Sequence, residues 1–417
     1  MKGMLQIMGV REIRLALPAL VLSVVGDAMA FVALTLRVHG SGAGPYAVAA
    51  LLLCFSLPVV ATMGVAGALA DRLDPPLLIG VAALGQALAS LGLATSRSLP
   101  ATFALVVVLQ LGFSVTNPTL TSVLTRAVGD EHLGQLTSLQ QALYAAASPI
   151  GAALGGVIVQ SHGDAMVFVI DASSYIVLAT PALGLGRGVV LPVAAWRSER
   201  LPFLPRDGWR AVHASPLASA LLWALLPFVV TLESMNAVEV FLVRDELGGT
   251  DADFGFWQAL AGAGALVGAL LGGVITSDHR RVKVVVGCLT AMSALQIGVG
   301  VAPSLGWLFI LGAALGLANS LSNAALVAVF IRAVAPDLRG RAIALLNGLA
   351  RATSLLALGL GGFAGAQLGP RLSFVVAGIA GLLVAARAWR ALRKASLEPT
   401  IPRAPRPAAA RLPTMEG

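Results

Sequence analysis

The chain has 417 residues, 57% of them hydrophobic and only 12% charged, with a formal net charge of +8. A soluble globular domain carries about 25% charged residues. Half that share, with a mean hydropathy of +0.87 and repeated apolar runs of roughly 20 residues, excludes a soluble fold and indicates a polytopic membrane protein.

Arg11 and Arg14 precede an apolar stretch, Leu15 to Val38. It is too long for the apolar core of a signal peptide and leads straight into further spans, so it reads as the first transmembrane helix. Twelve spans are expected, near 15–38, 46–69, 77–95, 100–125, 135–160, 165–186, 217–243, 254–276, 283–302, 305–332, 341–366 and 372–391. Between the second and third stands a tight charged turn, Gly67-Ala-Leu-Ala-Asp71-Arg72-Leu-Asp74-Pro75-Pro76. The expected division is a cytoplasmic N-terminus 1–14, a six-helix half 15–186, a cytoplasmic loop 187–215, a second six-helix half 216–391, and a basic, disordered cytoplasmic tail 392–417 rich in Pro and Ala.

The positive charge sets orientation. With the N-terminus inside, 23 of the 28 Lys and Arg fall in inner segments and 4 outside (Arg37, Arg97, Arg244 and Arg371), while Arg351 lies within a span. Short loops rich in Lys and Arg stay cytoplasmic, so both termini are expected there, in a multi-pass protein of the cell membrane. The basic excess is thereby topology rather than nucleic-acid binding. Attraction to anionic membrane lipid is a secondary consequence. Cys54 and Cys288 each lie inside an apolar run and read as small buried hydrophobes.

The chain repeats itself at an offset of 206 residues. Segments 111–163 and 317–369 align without gaps, sharing Asn117/Asn323, Arg126/Arg332, Gly155/Gly361, Gly156/Gly362 and Gly163/Gly369 among 17 identities in 53 positions. Apolar bias alone does not reproduce the shared Asn, Arg and paired Gly. Two halves of six helices in the same orientation are a parallel repeat of the transporter kind.

Several motifs carry a family resemblance. Gly26-Asp27 sits in span one, and Gly67-Ala-Leu-Ala-Asp71-Arg72 lies between spans two and three. Asn117-Pro118 falls in span four, Gly151-Ala-Ala-Leu-Gly155-Gly156 in span five, and Phe168-Val-Ile-Asp171-Ala-Ser-Ser174 opens span six. On these the chain resembles major facilitator superfamily transporters over residues 11 to 391, in particular the drug, macrolide-efflux and siderophore-export group. It departs at Pro75 and Pro76, where that signature usually has basic residues, and at Ala152, where the exporter motif has proline. It also lacks the span-four Arg of many drug–proton antiporters, where Gln110 stands as the polar residue. The resemblance implies an all-α membrane fold of two pseudo-symmetric bundles, and alternating access without catalysis. It implies efflux of a drug-like or siderophore-like amphiphile by proton antiport, the activity behind multidrug resistance. An importer or lysolipid flippase of the same fold, or a polytopic sensor or lipid-handling protein, is the alternative. A small-molecule substrate, protons and membrane lipid are the expected partners of a monomer, with no cofactor, no metal and no nucleic acid.

Charges inside hydrocarbon cost about 2.5 kcal/mol or more on insertion scales. Asp27, Glu233, Glu239 and Arg351 are the candidates for proton coupling or substrate contact. Asp27 and Glu233 are 206 residues apart and so occupy the same place in each half. The resemblance puts spans one and seven on the central cavity, where such carboxylates can exchange protons near neutral pH. Asp27 reads alternatively as a hydrogen-bond partner of Ser23. Glu239, six residues past Glu233 and near the outer end, is turned about 120° from it on a continuous helix and reads as surface-facing or gate, or as cavity. Asp171 reads as a packing carboxylate. Arg351 reads as the counter-charge of Glu233 or Glu239, as a substrate contact, or as part of a structural ion pair. Gln110, Asn117, Gln140, Gln141, Tyr144, Asn236, Asn323 and Asn347 are candidate cavity residues, with interhelical hydrogen bonding the alternative for each. Gly151, Gly155 and Gly156 form the exporter motif. The resemblance assigns Gly67, Asp71 and Arg72 to a cytoplasmic gate, in which Asp71 docks on the positive end of span eleven at Gly340-Arg341. No Gly-Lys-Ser/Thr loop is present, which excludes an ATPase of that kind.

Overall fold

A computed structural model describes residues 11–397 apart from 129, 185–205 and 276. The described chain is helical throughout. In the first half run α1 (Arg11–Gly40), α2 (Gly44–Arg72), α3 (Pro75–Thr95), α4 (Leu99–Val128), α5 (Leu133–His162) and α6 (Asp164–Gly184). The second half holds α7 (Pro216–Glu233), α8 (Asp251–Val274), α9 (Asp278–Gly300), α10 (Leu305–Ala333) and a last helical stretch, Arg339–Leu397. That stretch is two helices, α11 and α12, separated at Gly369, whose φ of 75° an L side chain rarely adopts. Its repeat mate Gly163, with φ 81°, ends α5 in the same way. Gly369 therefore punctuates the backbone between α11 and α12.

Among the described residues, ten helical stretches are long and apolar enough to cross a membrane, the last being the α11–α12 pair. The 21-residue α6 adds a span of about 32 Å, matching a hydrocarbon core of roughly 30 Å. Local chemistry explains the boundaries. Pro75 and Pro76 occupy the first turn of α3, where proline's missing N–H costs nothing; this is what the departure from the basic signature builds. Thr250 and Asp253 form a reciprocal capping box at the start of α8.

Three expectations need correction. A short helix, Arg206–His213, lies within the stretch read as loop; we call it the linker helix. The α12 helix runs on to Leu397, past the expected start of the tail. Span seven is not one helix to residue 243: α7 stops at Glu233, and Ser234–Ala237 is a 3-10 turn, followed by Glu239–Phe241 and a π turn Leu242–Glu246. Gly361 of α11 packs its backbone against the Ser234 carbonyl at the break.

Among the described residues, the close contacts between the halves gather at one end. A Cβ built on Gly156 of α5 would stand 2.7 Å from the Asp251 carbonyl oxygen and 2.9 Å from Gly255 Cα of α8. A Cβ on Gly362 of α11 would stand 2.7 Å from Ala49 Cβ of α2, and 3.3 Å from the Pro45 carbonyl. Gly156 and Gly362, Ala49 and Gly255, and Pro45 and Asp251 are each 206 apart, so the two seams are the same contact made twice about a pseudo-twofold axis. At that end the Ala252 N–H of α8 donates to Gln160 Oε1 of α5 at 3.1 Å. His39 Nε2 stands 2.9 Å from Asp245 Oδ1, itself a pair of repeat mates.

Seven-residue stripes follow one helix face and report the other end. Along α11, Ala344 and Arg351 are exposed while Leu358 and Gly365 are buried. Along α5, Gln135 and Ala142 are exposed, Pro149 is partly covered and Gly156 is buried. Along α8, Gly255 is buried, Gly262 partly covered and Ala269 exposed. The apolar core agrees. One continuous cluster joins the first half to Val238, Phe241, Phe254 and Leu358 of the second, whereas Leu221, Leu289, Phe330 and Leu345 belong to a separate cluster. The bundle is thus closed at the His39 end and cleft at the end where α2 finishes and α11 begins.

Candidate functional site

Two cavities, of 520 and 560 Å³, flank the cleft, one in each half. The first is built from α1, α2, α3, α4, α5 and α6. Asp27 lies on its wall with Gln110 and Asn117 of α4 and Tyr144 of α5. Aromatic rings of Phe31, Phe55 and Phe113 supply its apolar surface. The Tyr175 hydroxyl of α6 donates to Asp27 Oδ1 at 2.5 Å. That partner stands where Ser23 was expected; Ser23 lines the cavity without a hydrogen bond to Asp27 among the described residues.

Behind this wall a second carboxylate is fully buried. Asp171, at 0% exposure, has Oδ2 2.8 Å from Ser90 Oγ, while its Oδ1 has no partner among the described residues. Ser90 Oγ also lies 2.9 Å from the Phe168 carbonyl. A serine hydroxyl has one hydrogen, so it cannot serve a carbonyl and an ionised carboxylate fully at once. Gly26 makes room for this cluster: a Cβ there would stand 2.7 Å from Ser174 Oγ and 2.8 Å from Asp171 Oδ1. The packing role expected for Asp171 is therefore what its contacts describe.

The second cavity lies in the C-terminal half and takes in Glu233, Asn236, Glu239, Asn323 and Asn347. Asn236 Nδ2 donates to a Glu233 carboxylate oxygen at 2.9 Å. Glu239 accepts from Trp257 Nε1 at 2.9 Å and from Gln258 Nε2 at 2.5 Å. Glu239 thus faces the same cavity as Glu233. The expected 120° separation assumed a continuous helix, and the 3-10 turn between them resets the angle. Gln258 lines both cavities and so stands at their junction.

Other expectations fare differently. Arg351 is exposed on the cleft-facing stripe of α11 and makes no ion pair with Glu233 or Glu239 among the described residues. Gln140 is buried and outside the linings of both cavities, and Gln141 is exposed. The exporter-motif glycines are close-approach points: Gly151 against the Val25 carbonyl of α1, Gly155 against Met29, and Gly156 against the other half. The α2 helix carries Gly67, Asp71 and Arg72 to the open end, but their side chains lie outside the described residues. Arg341 is exposed, and Gly208 of the linker helix packs on its carbonyl.

Tyr175, Gln86, Ser90 and Trp257 were missed by sequence reasoning. A signal existed for the first three. Gln86 and Ser90 are polar residues one turn apart in an apolar span, as are Asp171 and Tyr175, a spacing that puts each pair on one face.

Comparison with known proteins agrees with the geometry. The family model of the Major Facilitator Superfamily matches residues 16–243 and, a second time, 228–415. A Bacillus subtilis (strain 168) protein named as the uncharacterized MFS-type transporter YfiS is 25% identical over 374 residues, covering 86% of this chain and 87% of its own. The crystal structure of the nucleoside transporter NupG matches with TM-score 0.69 at 14% identity, over 90% of this chain and 99% of that one. A bacterial homologue of the iron transporter ferroportin, in an inward-facing state, matches with TM-score 0.68 at 14% identity, over 93% and 99%. Helical composition, internal repeat, two-bundle architecture and a family match to each half converge on one assignment: this chain belongs to the Major Facilitator Superfamily and is a membrane transporter of that type.

Proposed function

We propose that the protein is a proton-coupled exporter working by alternating access, and that its substrates are drug-like or siderophore-like amphiphiles, cationic ones above all. The observation that carries this reading is the pairing of carboxylates with apolar wall in each half-cavity. Asp27 sits among Phe31, Phe55 and Phe113, and Glu233 and Glu239 sit beside Trp257. Apolar walls with a few convergent polar groups suit a bulky amphiphile, and aromatic faces beside a carboxylate favour a cation. With termini cytoplasmic, the open end of the cleft faces inward. The ferroportin homologue is described in an inward-facing state.

In the opposite state the turn at Asp71 closes against the start of α11, as a latch on that helix's positive end. Asp27 and Glu233 exchange protons against substrate in turn. The test is ethidium accumulation in inside-out vesicles, with and without a pH gradient. Gradient-dependent uptake, lost in Asp27→Asn or Glu233→Gln, is expected. Uptake that ignores the gradient, or survives both substitutions, refutes proton antiport; absence of uptake in this orientation refutes export.

A further inference from the structure

Outside the central cleft, a groove of 620 Å³ runs along the lipid-facing side of α7 and α12. On α7 its wall extends from Pro216 to Pro227. Those 12 residues rise about 16 Å, close to the depth of one leaflet of a roughly 30 Å core. The α12 wall is mostly small and apolar, with Val384, Ala388 and Ala391. Two groups break the pattern, Arg387 of α12 and His213 from the end of the linker helix.

Arg387 lies four residues before Ala391, about 6 Å along the axis. Among the described residues it has no hydrogen-bond or ion-pair partner, and the groove lining contains no Asp or Glu. Arg387 is exposed on the groove near the inner end of α12, where an uncompensated cation attracts an anionic headgroup. The other groove features are aromatic. Trp223 is 55% exposed on the groove wall and meets Trp209 edge-on, with ring centroids 6.4 Å apart. Trp209 in turn packs against His213 at 4.4 Å. His213 Nδ1 is engaged by the Trp209 carbonyl at 3.1 Å, which leaves Nε2 for a ligand. Amphipathic rings of this kind collect at the headgroup level.

We propose that this groove is a binding site for an anionic phospholipid, with one acyl chain along Pro216–Pro227 and the headgroup phosphate on Arg387 and His213. The charge on the wall is purely positive, the apolar length is one leaflet, and Trp209 and His213 stand at the polar end with Trp223 about 10 Å along the wall. A phospholipid has that anatomy, and basic clefts between spans recognise its anionic forms. An apolar amphiphile without a phosphate would leave Arg387 unpaired.

The full-length protein in lipid vesicles tests this through tryptophan quenching by acyl-brominated lipids. The Trp223 signal is obtained as the difference between the wild type and Trp223→Phe. Brominated phosphatidylglycerol is expected to displace brominated phosphatidylcholine from the groove with about a five-fold preference. In Arg387→Gln that preference falls to near one, in Arg387→Lys it is partly kept, and in Lys283→Gln, on the neighbouring α9–α12 groove, it is unchanged. The wild-type preference is also expected to shrink in high salt, a measurement that needs no variant. Equal quenching by the two lipids in the wild type, or an unchanged preference in Arg387→Gln, overturns the assignment.

Discussion

Replacing Gly156 by alanine targets the seam that holds the two halves together. The added Cβ would stand 2.7 Å from the Asp251 carbonyl oxygen, 2.9 Å from Gly255 Cα and 3.0 Å from its nitrogen. All three are backbone atoms, so no side chain can swing aside. Ordinary contact begins near 3.4 Å, and the α5 and α8 backbones must part by about 0.7 Å at the oxygen. Overpacking of this kind costs about 1–3 kcal/mol. The cost falls only on the state in which α5 and α8 touch here, so the closed-to-open ratio at the His39 end should drop about five- to 150-fold. Spin-label distances read it directly. Labels on Ser161 and Ser304 report the closed end; labels on Ser138 and Leu271 report the cleft end. Gly156→Ala should lengthen the first distance and shorten the second. Gly85, where an added Cβ meets nothing within 4 Å, is the control, and Gly85→Ala should leave both distributions alone. Distributions for Gly156→Ala that superimpose on the wild type refute the seam as the element whose contact sets the conformational balance.

Other expectations follow from the same geometry. Gly26→Ala should destabilise the protein by about 1–3 kcal/mol because its Cβ meets Asp171 Oδ1 and Ser174 Oγ. Part of that loss should vanish in an Asp171→Ala background, and equal shifts in thermal midpoint in both backgrounds would contradict the packing account. The His39–Asp245 pair joins the halves, but the Asp245 side chain is 56% exposed. A double-mutant cycle on the closed-end spin-label population should therefore return a coupling of no more than about 1 kcal/mol, and a markedly larger value would mean the His39–Asp245 pair is not solvent-screened. Asp71→Asn should slow ethidium turnover without changing surface expression; unchanged turnover would leave the turn a topological element alone.

Much of the architecture was legible in one dimension. Hydropathy reports each span locally, because in lipid every backbone polar group must be satisfied within its own helix, and α1 to α6 and α8 to α12 fall where apolar runs predicted. The offset of 206 announced the two halves. The family resemblance put span one, and with it Asp27, on the cavity, while Gln110, Asn117 and Tyr144 stood out as polar residues in apolar surroundings with interhelical hydrogen bonding open for each; all four line the first cavity. Span seven resisted. Its break after Glu233 depends on Gly361 of a distant helix pressing on the Ser234 carbonyl, and the direction of Glu239 depends on that break.

What the sequence by itself determined is the membrane class, the span count, the repeat and the scarce intramembrane charges, all of which express the cost of placing each residue in hydrocarbon. The tertiary structure alone decided that Glu239 joins Glu233 at one cavity and that Tyr175, not Ser23, meets Asp27. It alone decided that the bundle closes at His39–Asp245 and parts toward Asp71. Those are contacts between helices far apart in the chain. The same spans, with the same hydropathy, can pack with either end shut, so the choice is made by which backbones the glycines at 156, 255 and 362 allow to touch.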